Sequence, residues 1–519
     1  MRPFGANRMS DEVITIAVVI LYFAVVIGIG YYYYHKSENL SDYILGGRTL
    51  NPYVTAMSAQ ASDMSGWLLM GLPGSIFLCG MGKIWIGIGL AIGSYFAWLF
   101  IAKRLRIYSE KAKNSLTLSE FFENRFHDNR NQLRTVSAII ILVFFTVYVA
   151  SGFVSAGNVF RMIIPDIDYV PAMILGAVIV IAYTFLGGFK AVCWTDLIQG
   201  ILMVFALVLV PLAAINALGG WDNTIDILHN MSTVPEHFEN IMYSNGTAMG
   251  VIAIISALAW GLGYFGMPHI VVRYTAIKNP KDLKISRRVA TLWIVICLAF
   301  TCIVGLVGRA YFGDAGLPNA ENVFVELSKS LFPAAIAAVM YAAIMAAVMS
   351  TADSQLLVAS SAVSNDLYRI FAKKEAPDGR LMWMARGVVI LIAVIAAFLA
   401  LDSDGAIMDL VSYAWAGFGA AFGPLMILAL FWKKVNTKGA LAGMIVGFVT
   451  IILWNTFLIS DGIIAGGDWC LFDTGLYELV PGFILSFIAI VVVSKLTGYA
   501  EADVQKEYDE YQEELKNFQ

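Results

Sequence analysis

Stretches of apolar residues long enough to cross a lipid bilayer recur along almost the whole of this 519-residue chain. A spanning helix needs about 20 mostly apolar residues. Thirteen stretches meet that condition: 12–34, 50–78, 83–102, 135–164, 169–188, 195–218, 247–271, 287–312, 331–364, 383–401, 406–431, 439–459 and 476–495. The longest polar stretches, 103–134, 219–246 and the tail 496–519, are too short for a soluble domain. The chain reads as an all-α polytopic membrane protein, with residues 1–519 forming a single membrane domain and the tail a short, exposed, charged helix. Only 14% of the residues are charged and 59% are hydrophobic, whereas soluble domains carry about 25% charge. A water-soluble enzyme is excluded, and so is a disordered chain, which requires low hydrophobicity and high net charge. The net charge of −4 gives no basic excess to suggest nucleic acid. Five cysteines, at 79, 193, 297, 302 and 470, form no Cys-x-x-Cys pair, which argues against metal and redox roles. Residues 13–34 run too long for a signal peptide and end in Tyr31-Tyr32-Tyr33-Tyr34-His35-Lys36, an interfacial belt followed by a basic stop.

Lysine and arginine set the expected orientation, because cytoplasmic loops of membrane proteins are enriched in them. Eight fall in 103–134, six in 272–288 and five in 366–386, and Lys433, Lys434 and Lys438 follow in 432–438. With thirteen spans all four stretches share one side. The stretch 219–246, on the other side, has four acids and no Lys or Arg. The N-terminus is therefore expected outside and the C-terminus in the cytoplasm.

Two of the spans are interrupted. One reads Ser58-Ala59-Gln60-Ala61-Ser62-Asp63-Met64-Ser65-Gly66-Trp67, with Gly71, Pro73 and Gly74 following; the other reads Trp260-Gly261-Leu262-Gly263-Tyr264-Phe265-Gly266-Met267-Pro268-His269. Lipid cannot satisfy free backbone groups, so a broken helix persists only where it lines a cavity. Its freed carbonyls can hold a cation, and a half-helix N-terminus can hold an anionic group. The competing explanation is that Gly and Pro are common in membrane helices, but it has to hold twice at matched places. The first break opens five helices, 50–218, and the second opens another five, 247–431. An odd number per repeat inverts the second, which gives two inverted five-helix repeats, a known plan for secondary transporters. The segment 12–34 is then an extra N-terminal helix, and 439–495 holds two C-terminal ones.

Carboxylates inside membrane spans are costly and mark function. Asp63 lies in the first break, Asp196 in Trp194-Thr195-Asp196, and Asp353 in Met349-Ser350-Thr351-Ala352-Asp353-Ser354. Ser350, Thr351 and Ser354 share a helix face with Ala347. Hydroxyl, carbonyl and carboxylate oxygens suit a hard monovalent cation rather than a transition metal. Each Ser or Thr could instead bond a carbonyl one turn back, and Asp196 could be a helix N-cap. Ser360, Ser361, Ser364, Asn365 and Asp366 line a vestibule or cap the helix end. His269 reads as an interior histidine with its hydrogen bonds satisfied, ahead of a proton carrier. Arg48, in Gly46-Gly47-Arg48, is an inner gate or a positive-inside anchor. Trp260, Tyr264 and Tyr148, with Trp415 opposite, suggest an aromatic pocket for a compact ring that carries a cation, with core packing as the alternative for each.

At these residues the chain resembles the sodium/solute symporter family, most closely its bacterial sodium/proline symporters. The stretches Asp42 to Arg48, Ala61 to Gly74, Trp260 to His269, Ala346 to Thr351 and Ser412 to Pro424 carry the resemblance. It implies Na⁺ held by the carbonyls of Ala61, Met64 and Ala347 and the hydroxyls of Ser350 and Thr351. It implies coupling roles for Asp63 and Arg48, contact with L-proline at Ser65, Gly66, Tyr148, Trp260, Tyr264 and Pro268, and a gating role for the outer-loop acid Glu321; Trp415, opposite the pocket, is a further gating candidate. Some relatives hold a second sodium with an acid like Asp196 and two serines; here those two positions are Asp353 and Ser354. The extra acid can strengthen a second cation site, carry a proton, or pair with a nearby base. The expected activity is import of L-proline with Na⁺ by alternating access, without enzymatic chemistry, in a bacterial cytoplasmic membrane and compatible with a monomer. A sodium symporter for another small solute and a membrane nutrient sensor are the competing expectations.

Overall fold

The computed structural model describes residues 6–34, 40–164, 166–186, 188–368, 370, 377–401, 407–460, 462–463 and 469–518. Among them, ten helices are long and apolar enough to cross a membrane, or eleven if the bent pair Val251–Phe265 and Pro268–Ala276 counts as one. The difference from thirteen lies at 50–78, which is split into Pro52–Asp63 and Trp67–Cys79, and at 169–188, where the apolar helix Tyr169–Phe185 falls just short of the length required. The basic stop His35-Lys36, the residues Arg369, Lys373 and Lys374, and the first residue of 406–431 lie outside the described residues.

Local chemistry explains both breaks. Asn51 accepts hydrogen bonds from the Tyr53 and Val54 amides, and Pro52 takes the first helical position, so the first interrupted helix starts sharply. It stops at Met64, whose φ of −84° and ψ of 77° are not helical. The Ser65 amide then bonds the Asp63 carbonyl at 3.0 Å instead of reaching back to Ala61. Gly66 lets the turn press against Ser155, where a Cβ would collide. In the second interrupted helix a 3₁₀ stretch, Ala259–Phe265, ends at Gly266, and Pro268 opens the next helix at a bend of 43°.

The two interrupted helices run in opposite directions. Leu50, at the start of the first, pairs with the end of the second through Leu50 N to Ala276 O (3.2 Å) and Lys278 N to Leu50 O (3.0 Å). Packed against them are the helices Ala334–Leu367 and Ile407–Phe431, whose most apolar stretches are 78% and 89% buried within the protein; the N-terminal helix, at 22%, is peripheral. The Ala/Ser/Gly-rich sequences of the two inner helices allow this close approach.

Two expectations change. The tail helix Ala502–Lys516 is not simply exposed. Val504, Tyr508, Tyr511 and Leu515 recur at helical spacing and are buried. Tyr511 stacks on Tyr108 at 4.2 Å, and Tyr508 OH donates to the Leu430 carbonyl at 3.1 Å. Nor are all the basic residues counted above free loop charges. Arg106, Arg125, Arg134 and Arg273 are all buried, and Arg273 lies inside the helix Pro268–Ala276.

Candidate functional site

The first interruption meets the long serine-rich helix through oxygen atoms. The Ser350 hydroxyl lies 2.8 Å from the Ala61 carbonyl oxygen and 3.2 Å from that of Ala347, and the Thr351 hydroxyl lies 3.5 Å from the Ala61 oxygen. Bonding one turn back accounts for only one of the two contacts of Ser350, and both residues reach the carbonyl that the break at Met64 leaves free of its helical amide. All five residues of the expected sodium set are buried, and Met64 sits in the turn itself. Ser354 differs, since its hydroxyl does bond back, to Ser350 O at 2.6 Å.

One turn further along, Asp196, Asp353 and Ser354 gather around a residue that the sequence reading left among the loop charges. Arg273 Nε donates to Ser58 Oγ at 2.9 Å; its terminal nitrogen donates to Ser354 Oγ at 2.5 Å and lies 3.4 Å from Asp196 Oδ2. Ser58 Oγ donates to the same Asp196 oxygen at 2.6 Å, and Ser354 Oγ lies 3.3 Å from Asp353 Oδ1. Asp196 stands seven residues inside the helix Phe189–Ala217 and is not its N-cap. The other carboxylate oxygens, Asp196 Oδ1 and Asp353 Oδ2, are buried without a hydrogen-bond partner among the described residues.

The aromatic residues converge on Asp63. Tyr264 OH donates to its carboxylate oxygen Oδ2. Its backbone carbonyl accepts from Trp67 Nε1 at 3.1 Å and from Tyr148 OH at 3.4 Å. Ser65 accepts the Trp67 amide at 3.5 Å, and Pro268 opens the second half-helix nearby. Trp260 stacks on Tyr477, with centroids 5.4 Å apart, and Trp415 Nε1 donates to the Trp260 carbonyl at 2.7 Å. Tyr477 escaped the sequence reading, and Trp67, quoted there as part of the first break, was given no role; each stands at the edge of an element, where periodicity marks no interior face. His269 is an interior residue, buried against Phe145 and Tyr148.

The two ends of this site differ. A cavity of about 1010 Å³ leads in from the end marked by Glu321 and reaches Trp260, past Ser412, Asp409 and Tyr477. Glu321 accepts the Ile407 and Met408 amides at 3.3 and 3.4 Å. Burial pushes its carboxyl up to about 7, although those two amides pull the other way. At the opposite end Arg48 closes the structure. Gly46, Gly47 and Arg48 all have positive φ, a bend that glycine permits. The bend aims the guanidinium at Asn114 (3.0 Å), Ser109 (3.2 Å), the Ser115 carbonyl (3.0 Å) and the Thr275 carbonyl (2.7 Å). Burial, followed by repulsion from Arg106, lowers its pKa to about 10.

Comparison with known proteins gives one consistent picture. The model of the sodium:solute symporter family matches residues 43–447. The sodium/proline symporter of Escherichia coli (strain K12) is 45% identical over 488 residues, covering 93% of both chains. The high-affinity proline transporter PutP of Bacillus subtilis (strain 168) is 45% identical over 489 residues, covering 94% of this chain and 99% of its own. A solved structure of a Na⁺-coupled sialic acid symporter, substrate-bound and outward-open, superposes with a TM-score of 0.77 at 20% identity, covering 94% of this chain and 98% of the other. At that identity the likeness is one of fold, a helical polytopic transporter.

Proposed function

Because this chain belongs to the sodium:solute symporter family, we infer that it imports L-proline with Na⁺ as a secondary active transporter rather than an enzyme, working by alternating access. The observation that carries this reading is the meeting of Ala61 O with Ser350 and Thr351 beside Asp63, whose carboxylate bonds Tyr264 of the aromatic pocket. Cation oxygens and solute-binding surface thereby share one broken helix. Na⁺ takes the carbonyls of Ala61, Met64 and Ala347 and the hydroxyls of Ser350 and Thr351. Proline lies against Ser65, Gly66, Tyr148, Trp260, Tyr264 and Pro268, with its carboxylate toward the half-helix that restarts at Trp67.

The protein is a multi-pass resident of a bacterial cytoplasmic membrane. Counting Pro52–Asp63 with Trp67–Cys79 as one crossing, and Tyr169–Leu186 as another, supports thirteen helices. The opposed directions of the two interrupted helices support inverted repeats over 50–218 and 247–431. An odd number of crossings puts the termini on opposite sides, and the Lys and Arg enrichment of 103–134, 272–288, 366–386 and 432–438 supports a cytoplasmic tail 496–519 on the Arg48 side with the N-terminus outside. The open cavity at the Glu321 end then faces outward, ready for loading.

Sodium arriving through that cavity bonds the freed carbonyls of the first interruption to the serine-rich helix. This fixes Asp63, and through it Tyr264, in the posture that receives proline. Closure at Glu321 and release of the Arg48 contacts then turn the loaded site to the cytoplasm. The coupling is reciprocal, so proline tightens sodium by the factor by which sodium tightens proline. One charge crossing 100 mV is worth about 2.3 kcal/mol, and a tenfold sodium gradient adds about 1.4 kcal/mol. Together they support accumulation of about several hundredfold. Labelled-proline uptake into proteoliposomes, with sodium, lithium and proton gradients imposed separately, tests the reading. Uptake is expected under the sodium gradient; accumulation driven equally by a proton gradient in sodium-free buffer would overturn it.

A further inference from the structure

We propose that Trp415 is a positioning residue for the proline site, acting through the second interrupted helix. Its indole is 1% exposed and lies in the helix Ile407–Phe431, which does not contribute to the proline contacts assigned above. Besides stacking on the Trp260 ring at a centroid distance of 6.5 Å, three contacts tie it to the neighbouring helix. Nε1 donates to the Trp260 carbonyl at 2.7 Å, within the 3₁₀ stretch Ala259–Phe265. The ring meets Tyr264 edge-on, with centroids 5.2 Å apart and planes at 84°. The third contact is with Gly263, where a Cβ would land on the indole itself, on Nε1 first. Residue 263 therefore leaves the slot that the indole fills.

The surrounding backbone reinforces this fit. A Cβ at Gly266 would strike the Phe418 carbonyl and the Gly423 amide, and one at Gly419 would come within 3.1 Å of Gly263 Cα. Two helices thus touch backbone to backbone around one large ring, and the hydrogen bond fixes how far the 3₁₀ stretch is wound against its partner. The consequence passes along covalent and hydrogen bonds already described: Trp415 sets the Trp260 carbonyl and the Tyr264 ring, and Tyr264 OH reaches Asp63 Oδ2. Trp415 lies outside the sodium oxygens, so its loss acts on proline first and on sodium only through their coupling.

The proposal rests on the proline-symport reading, and its test keeps the two apart. If the parent protein shows no sodium-driven proline uptake in proteoliposomes, the symport reading fails. The Trp415 proposal is judged by variants measured beside an active parent. Trp415→Phe, which keeps a ring but loses the indole N–H, is expected to raise the proline KM about tenfold with maximal rate and sodium binding without proline changed by less than about twofold. Gly263→Ala is expected to raise KM at least as much, because the methyl displaces the indole. The double variant is expected to be no worse than Gly263→Ala alone, since phenylalanine removes the atom that the methyl would strike first; such non-additivity marks direct contact. A proline KM within about twofold of the parent in Trp415→Phe, or additive losses in the double variant, would overturn the proposal. So would a fall in maximal rate with KM unchanged. Should Trp415→Phe fail to reach the membrane, Gly263→Ala and the double variant still decide: a double variant no worse than Gly263→Ala upholds the keyed contact, and one with a proline KM raised further overturns it.

Discussion

Two oxygen-rich clusters lie one turn apart on the same helix, and they differ in what neutralises them. Around Ser350 and Thr351 the oxygens belong to uncharged carbonyls and hydroxyls, and no cationic side chain is among the groups bonded there. Around Asp196 and Ser354 a guanidinium built into the chain stands between the oxygens. A coupling ion has to arrive and leave with each cycle, a role that suits a cluster without a tethered cation. We propose that the second cluster instead braces the fold. Arg273 ties the second interrupted helix to Ser58 of the first, to Asp196 of the helix Phe189–Ala217 and to Ser354 of the serine-rich helix.

The largest way to break this contrast is to remove the brace. Arg273→Gln strips a buried carboxylate of its partner, a change that costs about 3–5 kcal/mol. A steep fall in thermal stability in detergent is expected, with partial recovery when Asp196→Asn is added; a stable single variant would deny the brace. Next, Asp63→Cys should cut sodium-driven uptake about a hundredfold, since one residue then loses both its position beside the cation oxygens and its bond to Tyr264. Near-normal sodium affinity in that variant would detach Asp63 from the site. Trp260→Ala should weaken proline about tenfold and sodium less, measured as separate half-saturation values; equal losses would misplace the pocket. Asp353→Ser should leave the sodium-to-proline flux ratio unchanged, because the account puts no exchangeable ion beside Arg273. A lower ratio would return a second sodium to that cluster.

The smallest effect belongs to Glu321. Docked against Ile407 and Met408 its pKa is about 7, whereas a solvated glutamate titrates at about 4.3. The docked form binds its proton more tightly, so docking weakens as pH rises from about 4.3 to about 7 and changes little above that. The proline KM should drift modestly over that window in the parent and stay flat in Glu321→Gln. A parallel drift in the variant would assign the effect to another group.

Much of this was legible in the residues. Gly66, Gly266 and Pro268 announce the breaks because they fall among other small and polar residues at matched places in two spans, and the Ser350-Thr351 pair stands out on a face of alanines. What escaped notice was set by tertiary contact. Arg273 follows a hydrophobic run and precedes five basic residues, so spacing alone groups it with them. Its true environment depends on Asp196 and Ser354, 77 and 81 residues away. The tail helix looked charged and solvent-exposed because its acids outnumber the four apolar residues that dock it. Tyr477 lies two residues before the helix Leu479–Leu496, where no periodic signal places it beneath Trp260.

The most direct test compares the sodium concentration that half-saturates proline binding in the purified parent, in Ser350→Ala with Thr351→Ala, and in Asp353→Ser. The neutral-oxygen account predicts a rise of at least about tenfold in the first variant and a value near the parent in the second. The reverse pattern, with sodium dependence lost at Asp353 and kept without the two hydroxyls, would contradict it.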